Sequence, residues 1–337
     1  EIRSDNTYCE STTNSGGIYG DIDLFRESPY NILLNATWVS CYDGIKRCNV
    51  VLDRIGSIAM SKELADKFKG EMLFIRALTY FNLVRLWGEV PLITNYVEDP
   101  FSTFQKRKDP VATVMDQIKN DLKEAATLLP KSVDKNRKGA ALSGSAKALL
   151  GKVYLTLGDY SSAASILQEV IEEGQYKFID SYAEIFDVTK KNNSESIFEI
   201  QYTDAIVDLG SAFANLFAPS GSTELTNGIG KTHGLNMPSE ELYKSYESGD
   251  LRRDVSVGVI AADGRLYCKK FVKTPVLENQ SDANFIVLRY TDVLMMYAEA
   301  LNETGYKADG DAFKYLNQVR KRAGLSVYSS TDIPTKE

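Results

Sequence analysis

Residues 70–92 restrict the fold of this chain more than any other stretch. Leu73, Ala77, Tyr80, Phe81, Val84 and Trp87 recur at helical spacing on one face. Phe74, Leu78, Leu83 and Leu86 widen that face until the helix is apolar almost all round. Such a helix is stable only between neighbours, so the chain must place other helices against it. Gly88 stands where a C′ glycine ends a helix, and Pro91 prevents its resumption, so the exit is extended through Val90, Pro91 and Leu92. This is scaffold rather than site.

The neighbours follow from the same periodicity. Asn35 or Thr37 is placed to cap a helix whose apolar face is Trp38, Tyr42, Ile45, Cys48, Leu52, Ile55 and Ala59, ending near Met60. Ser61 caps the next helix, which carries Leu64, Phe68 and the 70–87 run, and the two are expected to form an antiparallel hairpin. Asp109 and Pro110 read as cap and first position of a helix bearing Val111, Val114, Met115, Ile118, Leu122, Ala125 and Leu129, stopped by Pro130. Residues 141–176 then carry a repeat: Leu150, Gly151, Tyr154, Gly158, Tyr160, Ala163, Leu167 and Val170 have the spacing of a tetratricopeptide unit. In such a unit small residues let two helices approach and large ones fill the space beside them. The plan returns at 290–324 with Tyr297, Ala298, Leu301 and Gly305, then Ala312, Leu316 and Val319, across a turn two residues longer. The expected fold is a single, mainly α domain over 1–337. Tetratricopeptide-like repeats at 35–178 and 287–324 form at least three paired units of a right-handed superhelix.

Two regions break the helical pattern. Residues 1–34 read as polar, glycine-containing loop with Tyr8, Tyr19, Phe25 and Tyr30 spaced through it, and a loop of that length in a compact domain is usually functional or disordered. Residues 179–286 read as a loop-rich, partly β insertion. Residues 196–202 alternate as a half-buried strand, and 255–260 with 265–273 flank Ala262, Asp263 and Gly264 as a hairpin. The glycine-rich stretch 204–236 carries Phe213, Phe217 and His233. Loops held on a rigid scaffold are where binding usually lives.

Composition removes several functions. Among 337 residues, 46 acidic against 39 basic side chains leave a net charge of −7, whereas holding nucleic acid requires a basic footprint. The basic run from Lys131 to Lys138, interrupted by Asp134, reads as a solvated connection. No stretch is long and apolar enough for a membrane-spanning helix, and the first residues lack the pattern of a signal peptide. Cys9, Cys41, Cys48 and Cys268 have no metal-ligand spacing and read as small apolar fillers.

Residues 76–92 also resemble the signature segment of the RagB/SusD family, surface lipoproteins that bind nutrients, usually glycans, at the outer membrane. Three further stretches are similar to family segments and stand in family order. They are Glu1 to Asn6, Tyr246 to Asp254, and Leu288 to Glu303 followed by Leu316 to Gly324. The resemblance implies a SusD-like fold and an outer-membrane location on the cell-surface face of a Gram-negative bacterium. It also implies an N-terminal lipid anchor and a TonB-dependent, SusC-like transporter as partner. Family members begin with a lipoprotein cysteine and a first helix, and continue past the Arg322-Ala323-Gly324 turn into a further helix. Relative to them, both ends of this chain are expected to be trimmed.

Catalysis finds little support in the residues. His233 is the single imidazole, so multi-histidine metal sites are excluded, and its loop lacks a nucleophile-elbow pattern. Glu172 with Glu173, and Glu240 with Glu241, are adjacent acids whose side chains diverge, unlike the facing pair of a glycosidase. Asp204 and Asp208 belong to no recognised cation loop. No enzyme, metal or cofactor is expected. Glycan binding asks for aromatic faces against sugar rings and for hydrogen-bonding side chains at the hydroxyls, all on loops. The candidates are Asp5, Asn6, Tyr8, Tyr19, Phe25 and Tyr30 from the first loop, with Phe213, Phe217 and His233 from the insertion. Trp38 and Trp87 fall at core spacing and read as structural. The alternative from another class is a helical-repeat scaffold that binds peptides or partner proteins at the cell surface.

Overall fold

A computed structural model describes residues 3–10, 17–132 and 137–336. In chain order the elements are β1 (Thr7–Tyr8), α1 (Ile18–Asp23), α2 (Ile32–Arg54), α3 (Lys62–Trp87), α4 (Val111–Leu128), α5 (Ser143–Thr156), α6 (Tyr160–Glu172), α7 (Tyr182–Ile185), β2 (Ser196–Ile200) and α8 (Phe213–Phe217). They continue with β3 (Met237–Pro238), α9 (Glu240–Ser245), α10 (Arg253–Ser256), β4 (Val257–Val259), β5 (Leu266–Cys268), β6 (Phe285–Arg289), α11 (Tyr290–Thr304) and α12 (Asp311–Arg322). The chain divides into two compact units. One comprises Ala36–Lys177, Leu288–Leu316 and Ser329–Glu337, and the other Glu1–Asn35, Phe178–Val287 and Asn317–Tyr328.

The first unit is helical. Helix α3 starts where the Ser61 hydroxyl accepts from the Leu64 amide at 3.3 Å and ends at Gly88, whose φ of 71° and bond to the Val84 carbonyl close the last turn. It is central and antiparallel to α2: Trp38 meets Trp87 edge to face at 5.4 Å, and Tyr42 meets Tyr80 at 6.5 Å. Against α4, a Cβ built on Gly70 would stand 2.8 Å from Leu129, so the two backbones approach where only glycine fits. Between α5 and α6 the same test puts Gly151 2.4 Å from Leu167, the close approach that the repeat spacing requires. Lys152 on α5 pairs with Asp292 on α11 at 2.9 Å, and Tyr297 packs on Tyr315 of α12 at 5.6 Å.

The α3 helix departs from its sequence reading in two places. Leu86 is exposed, and Arg76 is buried. The guanidinium holds both Asp121 oxygens at 2.7 Å and reaches Asn49 Oδ1 and the Thr94 carbonyl at 2.8 Å. Asn49 in turn donates to the carbonyls of Ile93 and Asn95. The donors of a buried arginine call for partners, and this network engages four of the five N–H groups while tying α2, α3, α4 and the extended exit together.

Other boundaries shift for local reasons. Asn31, rather than Asn35 or Thr37, caps α2, its side chain accepting from the Leu33 and Leu34 amides. Helix α4 begins at Val111, and Asp109 instead joins the exit strand, receiving the Leu92 amide on its carboxylate and pairing its backbone with Val90. The 1–34 stretch expected to be loop contains α1 and the start of α2. The hairpin forms, but its paired core is short: Val257 faces Cys268 and Val259 faces Leu266, antiparallel.

In the second unit, two-stranded pairings β1 with β3, β2 with β6 and β4 with β5 replace a continuous sheet. Its core is polar as well as apolar: Glu195, Asn215, Thr226 and Ser281 are fully buried. Glu195 pairs with Arg322, which also donates to the Ile179 carbonyl and lies over the Phe178 ring at 4.0 Å. Cys9 and Cys48 are buried and Cys41 and Cys268 half-buried. Burial pushes the Cys48 thiol up to about 11, so it stays protonated and inert.

Candidate functional site

The loop-rich unit is organised by residues 233–239. The amides of His233, Gly234 and Leu235 donate to the carbonyls of Asn215, Ala218 and Leu216, which fixes α8. On the other side, Thr7 and Tyr8 pair with Pro238 and Met237, Glu10 donates its amide to Gly234, and Ser239 donates to Asn6. The Ser239 hydroxyl also donates to the Asp5 carbonyl. One strap therefore carries His233 and bonds both to the segment with Asp5, Asn6 and Tyr8 and to the backbone of the helix that bears Phe213 and Phe217. Gly234 is obligatory in it, since φ is 61° and a Cβ would lie 2.3 Å from the Glu10 carboxylate. Glu10 accepts from the Ser220 amide at 2.6 Å and from Arg265 at 2.7 Å, which pins the N-terminal segment to the β4–β5 hairpin.

Helix α8 carries an aromatic cluster. Phe213 stacks on Phe217 at 5.4 Å, stands edge-on to Tyr202 at 5.9 Å, and is tilted against Phe271 at 6.0 Å and Phe285 at 5.8 Å. All five rings are half-buried. Phe213 is the hub that supports the others. Asn215, fully buried beside it, donates to the carbonyls of Ile229 and Lys231 and accepts the Asn279 amide, so side-chain amide chemistry does the work of a ladder in the surrounding loops.

A polar rim borders these rings. Asn284 accepts the Tyr202 amide at 2.9 Å and donates to Glu199 and Gln201, while Gln201 and Asn192 exchange bonds through their amides. Lys191 donates to the Tyr202 carbonyl and pairs with Asp282, which also holds Lys273. Burial works to raise the Asp282 carboxyl, but the two lysines hold it below the ordinary range, and Lys273 is pushed up by the same contact. Burial raises the Tyr202 phenol, which stays neutral at physiological pH. The arrangement offers apolar ring surface beside neutral amides and internally paired charges. Chemically it can stack against and hydrogen-bond a neutral, hydroxyl-rich ligand.

The remaining candidates are not among the ring contacts of the cluster. Tyr19 is half-buried on α1, which Asp23 ties to the Cys9 amide. Phe25, 63% exposed at a left-handed φ of 54°, has Arg3 over its ring at 4.7 Å. Tyr30 is 90% exposed. Tyr8 is partly exposed, and burial together with Glu10 and Glu240 pushes its phenol up against the opposing pull of Arg265. His233 is positioned by its backbone. Sequence reasoning did not select Tyr202, Phe271, Phe285 or the rim residues Asn192, Gln201 and Asn284. Alternation through residues 198–202 could have flagged Gln201 and Tyr202, but Phe271 and Phe285 have no local pattern that connects them. Among the described residues no group of histidine, cysteine, aspartate and glutamate is placed to hold a metal ion, and no helix is long and apolar enough to cross a membrane.

Comparison with known proteins gives a consistent result. A family profile described as "Starch-binding associating with outer membrane" matches residues 3–155, and the SusD family profile matches residues 253–337. The SusD-like protein P2 of Formosa agariphila is 27% identical over 90% of this chain, and the chain spans 65% of its length. A solved structure described as a laminarin binding SusD-like protein has a TM-score of 0.87 and 30% identity, covering 97% of this chain and 79% of that one. A second, solved with a xylogluco-oligosaccharide, has a TM-score of 0.83 and 25% identity, covering 95% and 70%. With its helical repeats, its α3 signature segment and a 30% identical relative matched over most of both chains, this chain belongs to the RagB/SusD family of SusD-like proteins.

Proposed function

We propose that this chain captures an oligosaccharide or polysaccharide at the cell surface and passes it, without chemical change, to a SusC-like TonB-dependent transporter in the outer membrane. The observation that carries the reading is the half-buried aromatic cluster around Phe213 with its amide rim, in a family whose similar member binds laminarin. Sugar rings would stack on the outer aromatic faces while Asn192 and Gln201, held by the buried Asn284, meet the hydroxyls. Phe213 and Phe217 build the platform in this reading. Asp5, Asn6, Tyr8 and His233 border it through the 233–239 strap, and Tyr19, Phe25 and Tyr30 extend the surface along the N-terminal segment. The transporter, the surface location and a lipid anchor rest on family membership. A glycan held over a transporter mouth needs no acid or base, so capture in this scheme is by contact alone.

Affinity electrophoresis and calorimetry against laminarin, xyloglucan and a panel of other polysaccharides test the reading. Phe213→Ala, which removes the hub of the cluster, is expected to weaken binding about tenfold or more, equivalent to about 1.4 kcal/mol. Product analysis should find the glycan intact. Retention of full affinity in this variant would remove the cluster from the site.

The peptide-scaffold alternative has one observation in its favour. Phe101 and Phe104, 71% and 74% exposed and 5.2 Å apart, form an apolar pair on the 3-10 turn at Pro100–Thr103 of the helical unit.

A further inference from the structure

A second concave site lies in the loop-rich unit and shares no residue with the Phe213 cluster. It is a cleft of about 250 Å³ bordered by Tyr182, Leu242, Tyr246, Glu247, Asp250 and Arg252. Asp250 is buried and holds Arg252 through Nε at 2.9 Å and Nη2 at 2.6 Å, which fixes the guanidinium plane. The Arg252 side chain is one-third exposed, and its Nη1 makes no hydrogen bond among the described residues. The Tyr246 hydroxyl likewise makes none, and the Tyr182 and Tyr246 phenols both lie near enough to favour the charged guanidinium. Leu242 and the Tyr246 ring supply the apolar wall. Glu247 is engaged by both terminal nitrogens of Arg320. Two arginines facing two carboxylates leave the cleft without net charge, which offers no attraction to an anion.

The cleft is joined to the platform by rings. Tyr182 meets Phe186 at 5.2 Å, Phe186 meets Phe271 at 5.6 Å, and Phe271 meets Phe213 at 6.0 Å. Tyr182 is buried and Lys270 lies over the Tyr182 and Phe186 rings at 5.3 and 4.6 Å, so these rings couple the two places through the interior of the unit.

We propose that this cleft is an outlying subsite that takes one uncharged sugar ring of the glycan chain bound at the Phe213 cluster. Neighbouring hydroxyls accept from Arg252 Nη1 and bond with the Tyr246 phenol, while the apolar face of the ring rests on Leu242 and Tyr246. The inference rests on the glycan-capture reading and adds a length requirement to it: long chains reach both places, short fragments only one.

Calorimetry on the full chain, with the polysaccharide retained best in the panel and with short and long fragments of it, decides the matter. Tyr246→Ala is expected to weaken the polymer and long fragments about fivefold and to leave short fragments unchanged, with an unaltered melting temperature. Tyr246→Phe, which keeps the wall and removes the hydroxyl, should give an intermediate loss. Phe213→Ala should weaken short and long ligands alike. Unchanged polymer binding in both Tyr246 variants, or equal losses for short and long ligands, would overturn the subsite while leaving the capture reading intact. Preferential, Arg252-dependent retention of a uronate polymer would overturn the assignment of an uncharged ring. Absence of any glycan binding by the unaltered chain would bring down the capture reading and this inference with it.

Discussion

The two units use polar side chains in opposite ways. In the helical unit the apolar stripes of α2, α3 and α4 already bring the helices together, and the Arg76–Asp121–Asn49 network is set into a contact that packing has defined. In the loop-rich unit there is little packing pattern to begin with. Asn215, Asn284 and Glu10 bond to backbone groups of distant segments and so determine where the loops run. Removing a polar group from the first unit leaves a buried charge without its ion partner, whereas removing one from the second unties a loop.

The largest effect is expected from Arg76→Met. Leaving Asp121 buried without its partner should lower stability by about 3–5 kcal/mol, and adding Asp121→Leu should recover much of it because the apolar faces remain. Thermal melting of the single and double variants reads both effects. Failure of the second change to rescue would mean that the network defines the helical contact after all.

Asn215→Leu comes next. It orphans two carbonyls and one amide at about 1–3 kcal/mol each, offset in part by the buried leucine. Hydrogen exchange should accelerate in 213–235 and 279–281 while α3 to α6 keep their protection, and glycan affinity should fall because α8 loses its anchor. Gly151→Ala is the matching change in the helical unit. The added methyl meets Leu167 and should cost about 1–3 kcal/mol, with glycan affinity unaltered.

The smallest effect is expected with acid. Burial acts to raise the Asp250 and Asp282 carboxyls, but Arg252 in one case and Lys273 with Lys191 in the other outweigh it and hold them below their usual 3.8. A carboxylate depressed in the folded state contributes stability that is complete above its unfolded value and is lost as pH falls through the folded one. The loop-rich unit should therefore loosen below about pH 3.8, before the interior of α3 and α4 does. Exchange-protection profiles against pH would show the order of loss, and simultaneous opening of both units would contradict it.

The same contrast explains what could be read in advance. The bounds of helix α3 were legible because its cap and its terminal glycine are local signals. Gly151 and Leu167 were legible because a repeat fixes their spacing. Arg76 was not, since its partners Asp121 and Asn49 lie 45 and 27 residues away. Asp109 looked like a cap because the Asp-Pro pair suits one, yet the unpaired Leu92 amide claimed its carboxylate. In the candidate site, Phe213 and Phe217 were expected on a glycine-rich loop, whereas they stand four residues apart on the short helix α8, too brief to show a period of its own. Tyr202, Phe271 and Phe285 meet them only through tertiary folding, and half-buried rings on irregular backbone have no period to betray them.

The Glu10 contacts also bear on the order in which the molecule is made. They join residues 210 and 255 positions apart in the chain, to Ser220 and to Arg265. A chain emerging from the N-terminal side must therefore hold residues 7–10 undocked until residues 220–265 have been made. The helical repeats, whose contacts are largely nearer in sequence, can form in the meantime. Closing the strap is then a late event, and a vulnerable one: before it, the 233–239 stretch lacks the Thr7, Tyr8 and Glu10 partners that cover its edge.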